Sequence, residues 1–124
     1  MKNKYLTLAA LSGFFCVALG AFAAHGLSYI LEAKALSWID TGLKYQMFHT
    51  ITVLVVALSA LCDNKFARLS MSSWLIGTLL FSGSLYALAF GVSNVIVWIT
   101  PIGGTLFLIG WISLAYGSFK NRSL

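Results

Sequence analysis

His25, Tyr45, Gln46 and His49 are the residues whose types and spacing suit chemistry. Gln46 and His49 are three apart and Tyr45 and His49 four apart, so on a helix each pair sits side by side. Two imidazoles can ligate a metal or a haem, hydrogen-bond a quinone headgroup, or pass a proton. The plainer reading is structural. The two histidines hydrogen-bond across helices and anchor the segment between them, with Trp38 nearby. Two histidines without a carboxylate or thiolate at the same depth make a weak metal signal. The cluster therefore predicts neither a metal nor a cofactor.

The rest of the chain adds no catalytic set. There is no Ser-His-Asp arrangement, no pair of carboxylates and no glycine-rich phosphate loop. Cys16 and Cys62 stand alone in apolar stretches, without a C-x-x-C or Cys/His cluster. Their expected depths differ by about 7 Å at about 1.5 Å per helical residue. A disulfide needs its Cα atoms within about 7 Å in total, suitably oriented, so both cysteines read as packing residues. The sequence predicts no enzyme.

Composition says where such residues must sit. The chain has 124 residues, 60% hydrophobic and 9% charged, against about 25% charged in a soluble domain. Eight bases and three acids cannot coat a soluble globule of this size, and a disordered chain needs the opposite balance. An integral membrane protein remains, with residues 1–124 as a single membrane domain and the lipid bilayer as its first partner. The net charge of +5 resides in short flanking segments, the pattern of topology signals and not of a nucleic-acid surface.

Apolar stretches long enough to cross the hydrocarbon core place four spans at about 5–24, 45–62, 70–91 and 96–118. The expected fold is an all-α four-helix transmembrane bundle. Gly91, Ser93 and Asn94 mark the turn between spans three and four, and Pro101 falls in the first turns of span four, where a proline costs little. Lys2, Lys4, Lys65, Arg68, Lys120 and Arg122 fall on one side, while Lys34 and Lys44 fall on the other beside Glu32 and Asp40. That bias puts both termini in the cytoplasm of a bacterial host. Ala21-Phe22-Ala23 resembles a signal-peptide cleavage site, but the charge count is coherent only if the first helix is retained.

Small residues recur at seven-residue spacing: Gly13 and Gly20; Gly77, Ser84 and Gly91; Gly103, Gly110 and Gly117. Such stripes let helices approach closely in lipid. Gly83, Ala87 and Gly91 form a further small-xxx-small pattern. Segment 27–43 carries Leu27, Ile30, Leu31, Ala35, Trp38 and Ile39 at helical spacing. It reads as a short amphipathic interfacial helix between helices one and two, ended by Asp40, Thr41 and Gly42.

Gly20-Ala21-Phe22-Ala23-Ala24-His25-Gly26-Leu27 resembles the G-A-F-G-A-H-G-L signature of the YgdD- and YwdK-like family of small bacterial inner-membrane proteins of unknown function (domain-of-unknown-function family 423). Trp38 with Thr41, Tyr45-Gln46 with His49, Thr100-Pro101-Ile102-Gly103-Gly104 and Ile109-Gly110-Trp111 also resemble its motifs, in order along nearly the whole chain. Ala23 departs from the usual glycine. The resemblance implies a four-helix, multi-pass protein of the bacterial inner (plasma) membrane with its first helix retained. It implies no activity.

Together these readings predict an accessory or interaction protein of the cell envelope, with a second copy or another membrane protein as partner. The alternative is a binder or carrier of a small apolar, quinone-like or metal ligand at the outer end of helices one and two.

Overall fold

The computed structural model describes residues 2–120, so Arg122 and its part in the charge count lie outside the described residues. Four long helices occupy nearly all of it: α1 Lys2–His25, α2 Ala33–Ala57, α3 Lys65–Ala89 and α4 Ile99–Lys120. Short 3-10 helices at Leu27–Tyr29 and Asn94–Trp98 lie between α1 and α2 and between α3 and α4. Among the described residues, three stretches are long and apolar enough to cross a membrane: Lys4–Tyr29, Lys65–Ala89 and Val95–Lys120. The α2 helix falls outside that group because Asp40, Lys44, Gln46 and His49 interrupt its apolar residues.

The segment 27–43 departs from its expectation. It is not a separate interfacial helix: the chain breaks at Ile30–Glu32, and residues 33–43 are the first turns of α2. Asp40, Thr41 and Gly42 do not end a helix. Asp40 pairs with Lys44 one turn on, Nζ to Oδ2 2.9 Å. Gly42 lets Tyr86 of α3 approach, since a Cβ there would sit 2.6 Å from the ring. The apolar face of the segment turns inward, with Leu27 and Ile39 buried beside Leu19, Tyr86 and Ala89. Boundaries shift as well. The α2 helix ends at Ala57 instead of 62, α3 begins at Lys65 instead of 70, and 96–98 lie in a 3-10 turn before α4.

The helix ends follow local chemistry. Asn64 caps α3, its Oδ1 accepting from the Phe66 and Ala67 N–H groups at 2.8 and 3.3 Å. Gly91 closes α3 with φ +91°; its N–H bonds the Leu88 carbonyl and the Val92 N–H bonds that of Ala87, a left-handed closure that favours glycine. Gly91 is therefore a helix-ending residue, and a Cβ on it would meet nothing within 4 Å. Pro101 lies in the first turn of α4.

Successive helices pack antiparallel. Cβ positions at Gly20 and Gly13 of α1 would lie 3.8 Å from Leu43 and 3.9 Å from Thr50 of α2, seven residues down one helix matching seven up the other. Along α4, Gly103, Gly110 and Gly117 face Phe81, Trp74 and Phe66 of α3 in turn, and Gly77 faces Phe107 and the Gly103 carbonyl. Ser84 bonds Thr100 across the same interface. The α2 and α3 helices share a core with Val53, Met71 and Trp74 fully buried. Helix α1 lies along α2 and touches α3 at its own N-terminal end, where Tyr5 Oη and Ser72 Oγ are 2.9 Å apart. Much of the outward surface of α1 and α4 is apolar, including Phe14, Val17, Leu108 and Ile112.

Candidate functional site

The expected cluster divides. His49 lies level with Ser12 and Gly13, since Gly13 faces Thr50. That is about twelve residues along α1 from His25, or about 18 Å at 1.5 Å per residue. His25 is exposed at the end of α1. The two imidazoles therefore form no common site, because α2 begins at Ala33 and carries His49 four turns into the bundle. Trp38 is half-buried in the cluster around Leu27 and Ile39, with Lys34 Nζ 5.4 Å from its ring centroid. Tyr45 is largely exposed, its ring 4.8 Å from Phe81.

Gln46 and His49 instead begin two separate polar assemblies. Gln46 projects from α2 between α1 and α3. Its Nε2 donates to the Ser12 carbonyl (3.2 Å) and Ser12 Oγ (3.0 Å), and its Oε1 accepts from Tyr86 Oη (2.7 Å). Ser12 Oγ also shares a 2.7 Å bond with Thr50 Oγ1. One turn toward the start of α2, Ser82 Oγ donates to the Gly42 carbonyl (2.7 Å). Both amide donors of Gln46 are thus used, tying three helices where an unmet polar group is costly.

His49 faces α4. Trp111 Nε1 donates to its Nε2 (3.0 Å), and its Nδ1 stands 2.8 Å from the Tyr45 carbonyl. An indole N–H only donates and a carbonyl only accepts. The proton must therefore lie on Nδ1, leaving Nε2 as acceptor, and both bonds are met only by the neutral ring. The imidazole also stacks on Phe107, centroids 3.8 Å apart and planes within 5°. Neither nitrogen keeps a free lone pair for a metal in this arrangement. Trp74, also buried, is 4.8 Å from Trp111 between ring centroids, and its Nε1 has no hydrogen-bond partner among the described residues.

A larger opening than the hollow at the α3–α4 end lies away from the outer end of helices one and two. A groove of about 530 Å³ runs between α1 and α3 at mid-helix, walled by Leu11, Phe15, Ile76 and Leu79, with Gly83 at its side and Gln46 on its floor. It lies between two places where α1 meets α3, the Tyr5–Ser72 contact at one end and Leu19 against Tyr86 and Ala89 at the other. Glycines 42, 77, 103, 110 and 117 would each bring a Cβ within 3 Å of a neighbouring helix, whereas Gly83 meets nothing within 4 Å.

Sequence reasoning missed Ser12, Thr50, Ser82 and Tyr86 as bonding partners and Trp111 as the donor to His49. One signal was available. Gln46 with Thr50 and Ser82 with Tyr86 are each four apart, placing two polar residues on one face of a helix.

The family described as "Protein of unknown function (DUF423)" matches residues 19–104. A UPF0382 membrane protein of Haemophilus influenzae is 91% identical over the full length of both chains. The UPF0382 inner membrane protein YgdD of Escherichia coli is 42% identical, covering 98% of this chain and 95% of that one. A UPF0382 membrane protein of Staphylococcus saprophyticus is 40% identical, covering 94% and 97%. No solved structure matches the chain.

Proposed function

The chain belongs to this family of membrane proteins of unknown function, and from that premise we propose a four-span accessory protein of the bacterial inner membrane that receives a transmembrane helix of another chain and performs no catalysis. The observation that carries the reading is Gly83. Five glycines of this fold lie against a neighbouring helix, and Gly83 offers the same close approach inside a groove no helix of the chain fills. Small residues at such a surface are how helices meet in lipid. The polar residues of the bundle support it by being spent on one another, as Gln46 and His49 are.

Helix order supports four crossings. The N-terminal ends of α1 and α3 lie together at the Tyr5–Ser72 contact. If both cross the bilayer in the same direction, the antiparallel α2 between them must cross back. Its polar residues are admissible because Gln46, His49 and Thr50 are buried against other helices. The distribution of basic residues then supports both termini in the cytoplasm. Reporter fusions after Leu124 and within residues 30–32 should read opposite sides. An extracytoplasmic C-terminus would remove the four-span reading.

A photo-crosslinking residue at Leu79, exposed in the groove, should yield one discrete protein adduct, and Gly83→Leu should abolish it while leaving the melting temperature unchanged. The same probe at Ile112, on the outer face of α4, should give none. Adduct mass separates a second copy from another protein. A specific small-molecule adduct at Leu79 alone would replace this reading with the apolar-ligand one, which the groove's lining also favours. Indiscriminate lipid adducts at both positions would leave the groove without a role and overturn the proposal.

A further inference from the structure

A second hollow, of about 280 Å³, opens between the start of α3 and the end of α4, lined by Asn64, Lys65, Phe66, Gly117 and Lys120. We infer that it is a site for the phosphate group of an anionic phospholipid. The inference rests on the reading that α3 and α4 cross the bilayer, which puts this hollow at headgroup level.

Three features point to an anion. Lys65 Nζ and Lys120 Nζ converge on one ring, 5.3 and 5.8 Å from the Phe66 centroid. Among the described residues the ion pair is Lys44 with Asp40, at the other end of the bundle; Asp63, two residues before Lys65, forms none with either lysine. Two ammonium groups held near one ring repel each other, and an anion between them relieves that repulsion. The polar groups facing the hollow are also donors. Asn64 spends its Oδ1 on the α3 amides, which leaves its Nδ2 as a donor in the lining of the hollow. A phosphate, rich in acceptors, matches that set, and basic pockets between spanning helices bind acidic lipid headgroups.

The apolar surroundings favour a lipid as the source. Leu69 and Tyr116 are exposed apolar residues on the two helices that frame the hollow, and acyl chains can lie along them. Gly117 lets the two helices close beneath the site, since a Cβ there would sit 2.6 Å from Phe66.

Native mass spectrometry of the detergent-purified full chain tests this with three probes: phosphatidylglycerol, phosphatidylcholine of the same acyl chains, and inorganic phosphate. The wild type should retain phosphatidylglycerol at roughly thirtyfold lower concentration than phosphatidylcholine, as two lysines predict. Lys65→Gln with Lys120→Gln should erase that preference. Lys34→Gln with Lys44→Gln makes the same charge change at the other end and should preserve it. Inorganic phosphate that binds and is lost in the first double variant, without any lipid preference, would keep the phosphate site and assign it a soluble source. Equal retention of both lipids without phosphate binding, or equal loss in both double variants, would overturn the inference. Melting temperatures of both variants exclude misfolding as the cause. Because binding is read in detergent, a failure here is separable from a failure of the reporter fusions or of the Leu79 adduct.

Discussion

Gly103→Ala should be the most damaging single-methyl substitution in the bundle. The added Cβ would lie 2.8 Å from Phe81 Cα and closer still to its backbone nitrogen. Backbone cannot rotate away as a side chain can, so α3 and α4 must separate. Opposite this point Gly77 lies 3.0 Å from the Gly103 carbonyl by the same measure, so the two glycines form one crossing. Overpacking costs about 1–3 kcal/mol and sometimes more, and the upper end is expected here even after the gain of about 1 kcal/mol that alanine brings to a helix. Gly83→Ala supplies the opposite sign. Its Cβ meets nothing, so the helix-propensity gain should survive. Unfolding of the purified protein by denaturing detergent should show Gly103→Ala destabilised and Gly83→Ala equal to or above wild type. Equal behaviour of the two would mean that the α3–α4 crossing is looser than its geometry.

The same contrast shows what periodicity could and could not reveal. Seven-residue spacing puts Gly103, Gly110 and Gly117 on one stripe, and all three face α3. Spacing cannot tell a stripe facing a helix from a residue ending one. Gly91 continued the α3 pattern in sequence yet closes the helix with positive φ. Gly42 read as a breaker because it follows Asp40 and Thr41, but its conformation is helical and its missing side chain accommodates Tyr86. A glycine beside polar residues carries both meanings until a partner helix is known.

The histidines were misplaced for a related reason. With a break assumed at 40–42, His49 falls near the membrane surface beside His25. With α2 starting at Ala33, the same residue lies four turns deep. The adjacency of Gln46 and His49 on one helix was legible from spacing. That they serve opposite neighbours, α1 and α3 for one and α4 for the other, depends on helix rotation. The long range from Trp111 to His49 leaves no local signal.

Gln46→Leu should cost about 2 kcal/mol of bundle stability or more. Interhelical hydrogen bonds in membranes average about 0.6 kcal/mol each, and this side chain makes three, to the Ser12 carbonyl, Ser12 Oγ and Tyr86 Oη. Leucine also strands the Tyr86 hydroxyl in a buried site, which costs more than the lost bond. Tyr86→Phe alone should cost about 1 kcal/mol, and adding it to Gln46→Leu should cost little further or recover part of the loss, because the stranded hydroxyl is removed. Such non-additivity is the signature of a direct pair. The cycle also bears on function. If Gln46 acts by holding α1, α2 and α3 together, loss of any cellular phenotype in Gln46→Leu should be proportional to the loss of folded protein. Full stability with abolished phenotype would mean that the Gln46 amide at the groove floor meets a ligand or a partner's polar group, and the polar seam would then be part of the binding surface instead of its support.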